Sequence, residues 1–296
     1  MSPRAFLSAV IYPVFVGLGM GGALWGIQRG ISPYAITIAV NLVGVGVVGV
    51  LERLHPHLER WNQDHGDTRT DLLHAVFSNL LPVALVRVTL LGFLTEVAVR
   101  FSHGHGPWPA QWPLGLQLVL ALGVGEFFVY WIHRAMHGSQ VGWRFHAIHH
   151  SAPRLYWLNG LRGHPADVLL GFTVHEASLV LLGASEPVLV LAAGFIGIHG
   201  LLQHSNVRLN LGPLEWIVAA PVHHRWHHSP KAGESSNNYG NNLIVWDRVF
   251  GTVFRPWDRP PPERLGIEDM PHFPRGFWGQ LAFPFRGYDP ERDRAA

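Results

Sequence analysis

Two uninterrupted apolar runs open the chain, and they restrict its fold more than any other feature. No charged residue falls between positions 5 and 28, where the sequence includes FLSAVIYPVFVGLGMGGALWGI, and a second such run extends over positions 30–51. Each is as long as the ~20 apolar residues with which a helix crosses a bilayer. In hydrocarbon every backbone N–H and C=O must be paired within its own segment, so helices are the expected form. A signal peptide has a shorter apolar region and is not followed at once by a second run, so a retained membrane portion is expected. Buried core helices of a soluble protein are the competing reading, and the length of both runs argues against it.

Further apolar segments follow. One covers about 75–99 and carries Arg87 and Glu96; another covers about 112–132, with Glu126 near its end. A last block, 168–203, is broken at GASEP (183–187) and reads as a helical hairpin. Its arms, about 16 residues each, are short for a full crossing and suit a tilted or re-entrant pair. Charges inside such segments are costly unless paired or close to an interface. Charged residues make up only 14% of the chain, against roughly 25% in ordinary soluble domains, which agrees with the membrane reading. Basic residues exceed acidic ones by just two, 22 against 20, too few for a nucleic-acid partner. With no cysteine, disulfides, iron–sulfur clusters and thiolate zinc sites are excluded, so any metal must be held by nitrogen and oxygen.

Topology follows from charge. If the first four segments cross, the N-terminus, the loop 52–74 and everything beyond 132 share one side. That side receives Arg4, the loop ERLHPHLERWNQDHGDTRTD and an arginine-rich C-terminal third, while the other receives little beyond Arg29 and Arg100. The positive-inside rule makes the shared side cytoplasmic.

The histidines gather there. Thirteen of the 20 lie between His133 and His228. HRAMH sets His133 and His137 four apart, HAIHH sets His146, His149 and His150 at i, i+3 and i+4, and HRWHH repeats that spacing with His224, His227 and His228. Residues three and four apart share a helix face, so each motif is expected to present its rings as one convergent cluster. Neutral imidazole suits Fe, Zn, Cu and Ni. Eight rings are too many for one tetrahedral ion; they suit two metals with three or four nitrogens each and some vacancy. The isolated histidines, His55, His57, His65, His74, His103, His105 and His272, are expected to be ordinary hydrogen-bonded or exposed side chains. The expected fold is an all-α integral membrane protein: about four transmembrane helices, a shorter hydrophobic helical hairpin, and a cytoplasmic histidine-rich metal-binding cap.

The order HX3H, HX2HH, HX2HH between membrane hairpins resembles the fatty acid hydroxylase/sterol desaturase superfamily of integral-membrane diiron oxygenases. RGHPAD (162–167), QHSN (203–206), LGPLEW (211–216) and NNYGNNLIVWDRVFGT (237–252) extend the resemblance over roughly 119–254. The last two stretches are most similar to the alkylglycerol monooxygenase branch and its bacterial relatives. The resemblance implies metal ligation by His133, His137, His146, His149, His150, His204, His224, His227 and His228, and less firmly by His199 and His223. It places His164 beside the site. Ligating imidazoles need their second nitrogen oriented, and Asp167, Glu176, Asn206, Asn238 and Asp247 are the candidate partners. The implied cofactors are two Fe ions, for which Zn could substitute in purified protein, with O2 as co-substrate. The implied reaction hydroxylates or desaturates a C–H bond of a fatty acyl, sterol or ether lipid.

Residues 1–110 are expected to form N-terminal membrane helices without visible chemistry, 111–254 the catalytic domain, and 255–296 a proline-rich tail that wraps the surface and ends in disorder. Nothing in the chain carries electrons. GHPAD is not the HPGG element of a fused cytochrome b5, and the glycines near 17–22 sit in a membrane run where helix packing explains them. A separate donor of ferredoxin, cytochrome b5 or pterin type is therefore implied. Two readings of other classes compete. One is a histidine-rich membrane metal transporter or store, which calls for ionisable residues along a crossing path. The other is a non-catalytic relative with a structural metal site.

Overall fold

The structure, a computed structural model, describes residues 2–102 and 106–286; His103, His105 and the expected disordered end beyond 286 lie outside the described residues. Twelve α-helices and no strand occur among the described residues. The first is α1 (Pro3–Gln28), where Ser2 caps the N-terminus and Pro3 needs no N–H partner. It is followed by α2 (Pro33–Leu54), α3 (Thr68–His74) and α4 (Leu81–Ser102). Residues 75–80 form a wider π turn that joins α3 to α4 just ahead of Pro82, which has no N–H to donate to the ladder. The third apolar segment thus starts earlier than expected, at Thr68. Then come α5 (Leu114–Gly138), α6 (Gln140–His150), α7 (Pro165–Leu182), α8 (Glu186–His204) and α9 (Pro221–His227). Short helices α10 (Ala232–Ser235), α11 (Val245–Phe250) and α12 (Phe277–Ala282) complete the chain.

Among the described residues, six helical stretches are long and apolar enough to cross a membrane, including the continuous Thr68–Thr89 and both arms of the hairpin. Those arms have 18 and 19 residues, longer than expected, because α7 already begins at Pro165. Gly183, at φ 89°, ends α7 in the left-handed conformation that turns the chain toward α8. The two arms then take different neighbours. α7 packs on α4 and α5, whereas α8 packs on α1, α2 and α5, so α5 joins the two halves of the bundle. α1 approaches α8 closely because Gly19 lies under Ile198, where a Cβ would overlap the isoleucine. The outward faces are apolar: Leu18 is 72% exposed, Leu42 67%, Leu85 66% and Val119 66%. Such a continuous apolar surface requires lipid as its solvent.

The bundle has two distinct ends. At one, the start of α1 meets the end of α2 through Ser8 Oγ and His55 Nε2 at 2.9 Å. The strand-like segment after α8 closes on the same place, with Asn210 N donating to Ser8 O at 2.9 Å and His57 N to Asn206 O at 2.7 Å. The tail wraps this end too: Gln280 Oε1 lies 2.8 Å from His74 Nε2, and Arg275 O accepts from Thr70 Oγ1 at 3.0 Å. At the other end Trp108 N donates to Leu182 O, and Trp108 Nε1 to Gln117 Oε1.

Three charges within the crossing helices, Arg87, Glu176 and Glu126, are partnered. Arg87 Nη2 lies 3.6 Å from Glu176 Oε1, and its guanidinium stands over the Phe172 ring. Glu126 accepts from Asn242 N and Nδ2 and from Leu243 N. Removing one member of such a pair leaves an uncompensated charge in a poorly solvating medium, at a cost of about 3 kcal/mol. Arg87→Met is therefore expected to lower the melting temperature of the protein in lipid nanodiscs, and Arg87→Met/Glu176→Met to restore most of the loss. Equal stability of the single variant and the parent protein would contradict the pairing.

Candidate metal centre

Helix ends carry the histidines to one place. The last turns of α5 bear His133 and His137, spaced four apart on one face. Ser139 then breaks the helix and caps α6, its Oγ accepting from Gly142 N at 3.0 Å, and α6 carries His146, His149 and His150. His204 is the last residue of α8. Pro221 starts α9, whose C-terminal turn holds His224 and His227, with His228 at its cap.

The rings converge in two groups, each with its ligand atoms within 4.8 Å of one another. One contains His133, His137, His146, His150 and His227; the other His149, His204, His224 and His228. The expectation of one cluster per motif is corrected here. Each HX2HH motif gives its i, i+4 pair to one group and its i+3 ring to the other. His146 and His150 join the first while His149 joins the second; His224 and His228 join the second while His227 joins the first. Two short helices facing each other across the groups are thereby stitched twice. The groups hold five and four rings, one more in the first than the spacing suggested.

Nitrogens face nitrogens. His133 Nε2 lies 2.9 Å from His146 Nε2, and His150 Nε2 3.1 Å from His227 Nε2. In the second group His228 Nε2 is 3.1 Å from His149 Nε2 and 3.0 Å from His224 Nε2, which is 2.7 Å from His204 Nε2. With metal–imidazole bonds of about 2.1 Å, two nitrogens 3 Å apart subtend about 90° at a shared ion. The buried His137 Nε2 has no hydrogen-bond partner in its group. The donor set therefore fits a metal ion in each group.

Hydrogen bonds at the other ring nitrogen explain why protons cannot fill that role. His133 Nδ1 donates to Tyr239 O at 2.7 Å, His146 Nδ1 to Asp167 Oδ2 at 2.8 Å, and His227 Nδ1 to Asn237 O at 2.7 Å. His149 Nδ1 donates to Arg162 O at 3.0 Å and His204 Nδ1 to Asn159 Oδ1 at 3.3 Å. These partners only accept, so each ring carries its proton on Nδ1 and turns the Nε2 lone pair inward. Burial, reinforced by neighbouring imidazoles, holds His149 down to about 4 and His150, His224, His227 and His228 well below the ordinary imidazole range. At neutral pH the inward lone pairs repel unless a cation lies between them.

The remaining candidates have other places. Asp167 touches the first group directly. Asp247 acts one step back, accepting from Tyr239 N at 2.8 Å, Gly240 N at 2.7 Å and Thr252 Oγ1 at 2.7 Å, which fixes the loop whose carbonyl holds His133. Burial raises its carboxyl to about 6 against those three donors. Asn238, at φ 56°, bonds the carbonyls of His223 and Phe254. Asn206 ties down Leu58 and Asn62, and Glu176 pairs with Arg87, so neither orients a grouped ring. His164 caps α7 by accepting from Ala166 N at 3.1 Å and packs between Phe145 and Phe285. His199 lies outside both groups, against Tyr12 Oη at 2.8 Å and Ala219 O at 3.2 Å, and buried His223 also lies outside them. Sequence reasoning missed the backbone acceptors Tyr239, Asn237 and Arg162, since a carbonyl's role leaves no trace in side-chain identity. It also missed Asn159. A cavity of about 180 Å³ reaches the first group, lined by His137, His150, Trp143, Ser229, Ser235 and Asp269.

Comparison with known proteins agrees with this geometry. The family model described as fatty acid hydroxylase matches residues 118–252. The chain is 34% identical to the ornithine lipid hydroxylase of Rhizobium tropici, over 95% of this chain and 85% of that protein. It is 32% identical to the human alkylglycerol monooxygenase over 63% of this chain, and it spans only 40% of that protein's length. No solved structure matches. Coverage of nearly the whole chain by a lipid hydroxylase, six apolar helices and two histidine groups agree on one conclusion: the chain belongs to the fatty acid hydroxylase family of multi-pass membrane lipid oxygenases.

Proposed function

We propose that this chain is a non-haem diiron hydroxylase that inserts one oxygen atom of O2 into a C–H bond of a membrane lipid. One Fe is held by His133, His137, His146, His150 and His227, the other by His149, His204, His224 and His228. The observation that carries the reading is the convergence of nine imidazoles in two groups, five of them with the Nε2 lone pair turned inward by an acceptor at Nδ1. Bound iron supplies the redox chemistry of oxygen activation. The residues of the chain orient the ligands, exclude bulk water through burial and present the lipid. The net change, one C–H and O2 with two electrons and two protons giving C–OH and water, needs an external reductant. A separate ferredoxin-, cytochrome b5- or pterin-type donor serves that purpose.

Residues 111–254 form the catalytic part in this reading, 1–110 its membrane portion and 255–296 the tail. The histidine end faces the cytoplasm, as the arginine distribution supports. The apolar block 168–203 walls the lipid's access from the bilayer. Likeness to the ornithine lipid hydroxylase over 95% of the chain makes an amino-acid-containing polar lipid the first substrate class to test, ahead of ether lipids.

Metal analysis of protein purified from iron-supplemented cells is expected to give two metals per chain; one would contradict the assignment. Lipid extracts of expressing cells should contain a species one oxygen heavier than its precursor. His149→Ala or His227→Ala should abolish that species while leaving membrane insertion intact. A species that persists in either variant would remove that residue from the ligand set.

The buried rings also set a pH dependence. Imidazoles of the unfolded chain titrate near 6.5, whereas His149 titrates at about 4 when folded and four neighbours lie well below their ordinary range. Below about pH 6.5 the unfolded state therefore binds more protons, so the metal-free protein loses stability as pH falls. Asp247, raised to about 6, works in the opposite sense and offsets part of this loss. The melting temperature of metal-free protein should drop steadily between pH 7 and pH 5; a flat or rising profile would contradict the buried neutral rings.

A further inference from the structure

We infer that Asp71, on the N-terminal membrane segment, is a positioning residue for the second histidine group, acting through Arg162 and the loop between α6 and α7. The inference rests on the reading that both groups hold metal. Asp71 is fully buried in the first turns of α3. Its Oδ1 accepts from Arg162 Nε, and its Oδ2 from Tyr156 Oη at 2.7 Å. Arg162 is itself buried and donates from Nη1 to Ser151 Oγ at 3.1 Å, so its side chain is fixed at two points. The carbonyl of that same residue accepts the Nδ1 proton of His149 at 3.0 Å. A carboxylate, a guanidinium, one peptide group and a ring thus form a continuous linkage from α3 to the second group.

A parallel linkage reaches His204. Asp67 holds Arg154 through two bonds, Nε to Oδ2 at 2.9 Å and Nη2 to Oδ1 at 3.0 Å, and Trp61 O takes a third at 2.6 Å. Arg154 O accepts from Asn159 Nδ2 at 2.5 Å, and Asn159 Oδ1 accepts from His204 Nδ1. Two aspartate–arginine pairs therefore clamp both ends of the loop 154–162, and that loop supplies the Nδ1 acceptors of two of the four rings in the second group. The first group depends on different acceptors: Asp167 directly, and the loop 237–240 that Asp247 holds. Each group has its own support. A segment that carries no ligand sets the orientation of ligands on α6 and α8.

Alternatively, Asp71–Arg162 is a buried ion pair that merely fastens the N-terminal helices. The two readings differ in what a variant does to the two metals. Partners that orient a ligating imidazole typically change metal affinity by about 10–100-fold when lost. A loss of support at Asp71 should fall on one metal only, whereas loosening of the whole bundle should weaken both. Asp71→Asn leaves Arg162 buried without its counter-charge and carries a folding risk. Asp71→Leu/Arg162→Met removes both charges while keeping the carbonyl of residue 162, and Tyr156→Phe removes one donor to Asp71 and no charge.

The test uses full-length protein in nanodiscs, stripped of metal and titrated anaerobically with 57Fe(II), read by metal bound per chain and by Mössbauer spectra. The parent protein should bind two ions with two resolvable signals. The charge-free double variant should keep one ion at unchanged affinity, bind the other about 10–100-fold more weakly and alter one signal only. Tyr156→Phe should perturb that same signal to a smaller degree, and Asp247→Asn the other signal. Two ions bound at parental affinity with both signals unchanged in the double variant, or both ions weakened alike, would overturn the inference while leaving the proposed function standing. Failure of the parent protein to bind two ions would overturn both.

Discussion

Everything in this molecule depends on the hydrogen bond from an imidazole Nδ1–H to a fixed acceptor. Once that bond is made, the proton has a single address and the Nε2 lone pair points into the protein interior. A single such ring is unremarkable in energetic terms. Eight of the nine grouped rings face a neighbouring Nε2 at 2.7 to 3.1 Å, an arrangement that a shared cation relieves. Burial closes the alternative, because it keeps these rings from gaining protons near neutral pH.

The membrane helices serve that arrangement. The four ring-bearing helices, α5, α6, α8 and α9, present their rings at their C-terminal ends, and an ion held between helix ends needs those ends fixed in both height and rotation. α5 supplies the height, since it packs on both α7 and α8 and thereby joins the two halves of the bundle. Rotation comes from polar contacts below and beside the site: Glu126 grips the 242–243 backbone and Asp247 the 239–240 backbone, so the loop that holds His133 is tied to the helix that carries it. Charges that looked expensive in a hydrophobic segment are spent on registering loops against helices. Lipid outside and paired polar groups inside are two sides of one constraint.

How much of this was legible in the sequence follows the range of each signal. The crossing helices and the three histidine motifs were readable because their periodicities are local: about 20 apolar residues in one case, spacings of three and four in the other. The division of each motif between two groups was not, because it depends on which helix faces which, and His149 and His150 look alike until α9 is in place. The same limit explains His199 and His204. Both sit near the end of α8, yet only His204 reaches the second group, while His199 turns toward Tyr12 on α1. Glu176 suggested a ring partner by residue type alone; its true partner, Arg87, lies on a helix whose packing against α7 no local pattern reveals. Backbone acceptors such as Tyr239 O and Arg162 O are invisible in principle, since any residue provides a carbonyl. The buried Asp67 and Asp71, at the start of α3, were hidden by their setting in a polar loop, where acidic residues ordinarily face water.

X-ray absorption at the iron edge of the metal-loaded protein reads the ligand shell directly. Four or five imidazole nitrogens per ion at about 2.1 Å, with the outer-shell scattering that rigid rings produce, are expected. A first shell dominated by oxygen, with little or no imidazole scattering, would contradict ligation by the two histidine groups.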